Sequence, residues 1–169
     1  RVLEHYPNAM VLFAGQYQGV WGEEDYLARL LPTIEKYQAS GQWKFLGTLT
    51  PEQMAAFYPN LDVLLVPSLN STETFGLVQI EAMMRGTPTV ASNLPGVRQP
   101  PRMTGMGEVV PIGDSAALAE AMLKIFDHPE NYRGNPAAVA MQFSPQANAA
   151  EYEDLYAELM EELGVKSAE

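Results

Sequence analysis

The feature that most constrains this chain is an alternation. Short apolar runs recur between stretches of helical periodicity. The runs are "AMVLFAG" (Ala9 to Gly15), "WKFLGTL" (Trp43 to Leu49), "LDVLLVPS" (Leu61 to Ser68), "TPTVAS" (Thr87 to Ser92) and "GEVVPIGD" (Gly107 to Asp114). Segments this short and apolar on both faces read as buried parallel strands. The fifth belongs at an edge, because Pro111 removes a donor. Between them lie a helix over "EEDYLARLLPTIEKYQAS", which Pro32 is expected to kink or interrupt, and a short helix capped by Thr50 with Pro51 and Gln53 behind it. "TFGLVQIEAMMRG" reads as a helix from Thr74 to a left-handed cap at Gly86. "SAALAEAMLKIFDHP" is another. The last, "PQANAAEYEDLYAELMEELG", carries Tyr152, Leu155, Tyr156, Leu159, Met160 and Leu163 on one stripe. "LPGVRQPPRMTGMG" (Leu94 to Gly107) is the longest irregular stretch and is expected to be a loop. The alternation predicts right-handed βαβ units. The fold class is therefore α/β, a Rossmann-like open parallel sheet flanked by helices, in a single domain over 1–169.

Bulk composition narrows the function. Hydrophobic residues are 47% and charged residues 18%, enough for a packed core. A net charge of −11 argues against nucleic acid and an anionic membrane surface as partners. There is no cysteine, so disulfides, zinc thiolates and a cysteine nucleophile are excluded. His5 and His128 have no metal-ligand spacing. No apolar run reaches membrane-spanning length. "RVLEHYPNAM" has no signal-peptide core and no initiator Met, so the chain is expected to be cut from something longer.

Ligands of an open parallel sheet bind beyond the carboxyl ends of its strands. Here those ends are Gly15-Gln16, Gly47-Thr48, Pro67-Ser68 and Ser92-Asn93. After the third comes "STETFGLVQIEAMM", with Glu73 and Glu81 eight positions apart. If Thr74, Phe75 and Gly76 open the helix, their backbone N–H groups lack intrahelical partners and suit an anion such as a diphosphate. Carboxylates beside such a site would face hydroxyl groups, since an ionised carboxylate only accepts. Glu81 falls where a ribose would lie and Glu73 where a transferred sugar would. Spacing leaves a second reading open: Glu73 as an acid favoured by the helix dipole, Glu81 as an exposed helix residue.

The stretch "PSLNSTETFGLVQIEAMMRGTPTVASNLPGV" resembles the C-terminal half of retaining GT-B glycosyltransferases, the glycosyl transferases group 1 that include glycogen and sucrose synthases. The proline-serine pair, the two acids with seven residues between them and Phe-Gly among these, the Glu-Ala of the helix and the Gly-Thr-Pro lead-in all fit. "FLGTLTPEQM" and "VVPIGDSAALAEAM" follow in the right order, and the likeness runs from about Ala9 to Leu159. It implies that Glu81 bonds the ribose and Glu73 the donor sugar, as the catalytic residue of this half. The amides of Thr74, Phe75 and Gly76 would hold the diphosphate, and the backbone of Gly47, Thr48 and Leu49 would meet the base. Ser68 and the loop from Asn93 to Val97 lie near the site. The donor would be a UDP-, GDP- or ADP-sugar, with no metal and no other cofactor.

The likeness also implies what this stretch lacks. An N-terminal acceptor domain of the same polypeptide would complete the cleft. The first strand and helix of this half, with an Arg and a Lys that contact the diphosphate, would precede Arg1. The chain alone is expected to bind a nucleotide sugar weakly and to have no transferase activity. A nucleotide-sugar epimerase and a non-enzymatic interaction module are the alternatives. The terminal helix would reach toward the other half or mediate self-association. The expected location is cytoplasmic, peripheral to a membrane in the whole protein.

Overall fold

The structure is a computed structural model describing residues 1–70 and 72–164. Strands β1 (Val11–Ala14), β2 (Trp43–Gly47), β3 (Leu64–Val66), β4 (Thr89–Ser92) and β5 (Gly107–Val110) lie within the five predicted runs. Every pairing is parallel. The helices are α1 (Val2–His5), α2 (Glu24–Ala39), α3 (Pro51–Phe57), α4 (Leu77–Met83), α5 (Gln99–Thr104), α6 (Ser115–Asp127), α7 (Pro136–Gln142) and α8 (Pro145–Glu162), with 3-10 turns at Tyr58–Asn60 and Pro129–Tyr132. This is the expected α/β class with strands and helices alternating.

The core centres on β4, buried at all four residues. On one side Val90 packs with Val110, Ala121 and Ile125 of β5 and α6. A second cluster joins Ile80, Met83, Met106 and Val139, tying α4 to α7. The sheet lies in two pieces, β1-β2 and β3-β4-β5. β1 pairs on one side only, with β2, and its Val11 and Phe13 are each 38% exposed. α1 anchors this side to the larger sheet: the Tyr6 ring lies 5.1 Å from that of Phe126 of α6, and its hydroxyl donates to Asp127 at 2.6 Å.

Several local expectations need correction. α2 runs through Pro32, which removes one bond of the ladder without ending the helix. α4 begins at Leu77, not Thr74, because Gly76 adopts φ 76° in the left-handed region and cannot continue a right-handed helix. The expected loop from Leu94 to Gly107 contains α5. Its Pro100 and Pro101 sit in the first turn, where their missing N–H groups would have had no helical partner anyway. α7 falls in a stretch to which the periodicity assigned nothing. By contrast, the Thr50 cap is a full reciprocal box with Gln53, and Gly86 is left-handed at φ 84°. β5 is at an edge as Pro111 required.

Candidate functional site

The chain leaves β3 at Val66 and crosses Pro67 and Ser68 to reach the two acids. Residues Glu73, Thr74, Phe75, Gly76, Leu77 and Val78 line an open depression of about 480 Å³. Glu73 is half-buried there, and its Oε1 accepts the Gly76 N–H at 3.1 Å. One of the three amides expected to face a ligand is thus held by the acid beside it. Thr74 and Phe75 precede the helix instead of opening it, so the helix-tip geometry derived from the sequence is corrected: the amides belong to a loop closed by Gly76.

This loop is locked from behind. Gln79 of α4 is fully buried; its Nε2 donates to the Val97 carbonyl at 2.9 Å, and its Oε1 accepts from Thr89 Oγ1 at 3.0 Å. The loop after β4 presses directly on the Glu73 loop: a Cβ at Gly96 would stand 1.4 Å from the Thr74 carbonyl oxygen. Only a glycine permits that approach. Asn93 in the same loop accepts from Arg98 Nη1 at 3.1 Å.

Glu81 is exposed on the second turn of α4. Its Oε2 accepts from the Tyr58 hydroxyl at 2.6 Å, and Tyr58 is only 2% exposed. Burial first, then the bond to Glu81, pushes the Tyr58 phenol well above its ordinary value near 10. Gly47, Thr48 and Leu49 lie at the carboxyl end of β2, with Gly47 left-handed at φ 70° and its carbonyl accepting the Gly15 N–H. Ser68 is half-buried just beyond β3. The structure therefore gathers Glu73 to Gly76 around one depression, places Glu81 on the adjoining helix, and leaves Gly47 to Leu49 on the other piece of the sheet. Sequence reasoning missed Tyr58 and Gln79; it placed the loop holding Gly96 near the site but not its contact with Thr74. The three partners lie 23, 18 and 22 residues away, and no local pattern marks them. His5 and His128 are engaged apart, with the Arg1 carbonyl and with Glu130.

Comparison with known proteins adds a lineage. The family model of the glycosyl transferases group 1 matches residues 1–138. The phosphatidyl-myo-inositol mannosyltransferase of Mycobacterium leprae is 35% identical over 127 residues, which is 73% of this chain and 30% of that protein. The D-inositol 3-phosphate glycosyltransferase of Corynebacterium jeikeium is 34% identical over 165 residues, 94% of this chain and 38% of that protein. Among solved structures, sucrose-phosphate synthase from Thermosynechococcus elongatus superposes with a TM-score of 0.75 at 29% identity, over 94% of this chain and 40% of that one. Anabaena Alr3699/HepE in complex with UDP-glucose superposes with a TM-score of 0.69 at 25% identity, over 89% of this chain and 42% of that one. The chain thus spans 30 to 42% of the length of these four proteins.

Proposed function

We propose, from the premise that this chain belongs to the glycosyl transferases group 1 family, that it is the donor-binding domain of a longer hexosyltransferase. The reaction moves a hexose from a nucleotide diphosphate sugar to a sugar or lipid acceptor, with retention at the anomeric carbon. The observation that carries this reading is Glu73 in the depression beyond the carboxyl end of β3, with Glu81 farther along the helix that follows. Glu73 lines the depression, and Glu81 stands exposed on the helix that leads out of it.

In this reading Glu81 accepts hydrogen bonds from the ribose diol, while Gly47, Thr48 and Leu49 meet the base through their backbone. The amides of Thr74 and Phe75 face the diphosphate. The Gly76 N–H, held by Glu73 in the structure, passes to a phosphate oxygen when Glu73 turns to the hydroxyls of the transferred sugar. The leaving phosphate takes the acceptor's proton on the same face. The domain's work is then to position reactants and to stabilise charge on the leaving group. The C-terminal half supplies the donor site, and the acceptor site lies in the N-terminal half. The names of both relatives given above contain inositol, which makes inositol-bearing acceptors the first to assay.

A thermal-shift panel of UDP, GDP and ADP, with and without sugars, tests the reading on the full-length polypeptide. A ligand that binds only the folded state raises the melting temperature. One base should stabilise, and Glu81→Ala should remove the shift. No stabilisation by any nucleotide, or an unchanged shift in Glu81→Ala, would overturn it.

A further inference from the structure

The buried phenol of Tyr58 has no part in the roles assigned above, yet its surroundings are built with care. Its ring is 2% exposed, and Thr87, itself buried ahead of β4, donates through Oγ1 to the Tyr58 carbonyl. The 3-10 turn is therefore pinned through its backbone while the ring reaches outward to a single acceptor, Glu81 Oε2, at 2.6 Å. A neutral donor on an ionised acceptor makes a short, strong bond. An exposed glutamate would otherwise spread over many rotamers, and ordering it on binding costs entropy.

We propose that Tyr58 is a positioning residue for the nucleotide. It holds Glu81 in one rotamer, with one carboxylate oxygen engaged by the phenol and the other presented to the hydroxyls of a ribose. This rests on the reading of Glu81 as the ribose contact. The ligand class follows from donor and acceptor: a diol donates, a carboxylate accepts, and a phosphate in that place would be repelled.

The test is calorimetry on the full-length polypeptide with the preferred nucleoside diphosphate and its 2′,3′-dideoxy counterpart. Wild type, Tyr58→Phe, Glu81→Gln and the double variant are compared. Pre-ordering one long side chain is worth about fivefold to tenfold in affinity. Tyr58→Phe should weaken the ribonucleotide by that factor and leave the dideoxy compound unchanged. The double variant should bind no worse than Glu81→Gln. Equal weakening of both nucleotides by Tyr58→Phe, or additive losses in the double variant, would reduce Tyr58 to a structural role and overturn the proposal. Thr87→Val loosens the turn while leaving the phenol in place, so it should lower the melting temperature and keep the ribo-to-dideoxy ratio. A collapsed ratio in that variant would mark general loosening and also overturn it. If Glu81→Gln leaves the ratio untouched, the ribose reading itself has failed. If Glu81→Gln alone collapses it, only the assignment of Tyr58 has.

Discussion

Gly96 shows how much one missing methyl group decides. Its Cα face lies against the Thr74 carbonyl, and an added Cβ would meet that oxygen at 1.4 Å. Backbone on backbone cannot yield as a side chain tip can. Gly96→Ala should therefore cost at least about 2 kcal/mol in urea unfolding and loosen the Glu73 loop. Gln79→Leu strands the buried Thr89 hydroxyl and Val97 carbonyl, and should cost about 1–3 kcal/mol. The tyrosines set an alkaline limit. Burial first, then its bond to Glu108, pushes the Tyr132 phenol from 10 up to about 12, and Tyr58 shifts in the same direction. A raised folded value means the folded state holds the proton more tightly. The stabilisation is complete below pH 10 and declines as the unfolded chain ionises, through about pH 12 for Tyr132. The urea midpoint should fall over that window, and Tyr132→Phe should flatten part of the fall. The two glutamates were singled out by their spacing after the third strand, a pattern that runs along the chain. Gln79 and Tyr58 were not, nor was the close contact of Gly96 within its expected loop, because each is defined by a partner that only folding brings near.

At the scale of elements, local chemistry was readable and competing local chemistry was not. The box of Thr50 and Gln53 closes within four residues, so the sequence could show it; Thr50→Ala should cost about 1 kcal/mol by thermal unfolding. The start of α4 was misplaced because "TFGLVQ" satisfies helical periodicity, while Gly76 chose a left-handed turn that lets Glu73 cap its amide. α5 was missed because paired prolines signal a break unless they fall in the first turn. α8 carries its predicted stripe outward: Tyr152, Leu155, Tyr156 and Leu159 are 42 to 59% exposed. Glu151, Glu153, Asp154, Glu158, Glu161 and Glu162 share the helix with no Lys or Arg. Two such helices attract through the stripe and repel through the acids, so any pairing between copies must strengthen as salt screens the charge. Sedimentation at 0.05 and about 0.5 M salt should show more association at the higher concentration, and Leu155→Glu should suppress it.

On the scale of the whole molecule, the break in the sheet dominates. Val11 donates to the Gln42 carbonyl just ahead of β2 and Gly15 to that of Gly47, so by the two-residue period Leu12 and Ala14 turn their amides to the free edge. Leu64 donates to the carbonyl of Pro88 beside β4, which turns the Leu65 amide to the edge of β3. In the 169-residue chain, hydrogen exchange at Leu12, Ala14 and Leu65 should be orders of magnitude faster than at Val90 in the covered centre. Equal protection would mean that the two edges have closed on each other. Among the described residues no helix is long and apolar enough to cross a membrane.

What the sequence determined by itself is whatever repeats or closes within a few residues. That covers the alternation that makes an α/β fold, the Thr50 and Gly86 caps and the spacing of Glu73 and Glu81 after the third strand. Tertiary structure alone decided which partner each of those groups meets. It turned Glu73 onto its own loop, set Tyr58 beneath Glu81, pressed Gly96 against Thr74 and left the sheet in two pieces. The physical reason is range. Periodicity and capping energies act along the chain, whereas a buried donor or a close backbone contact is settled by whichever distant segment packing brings to it.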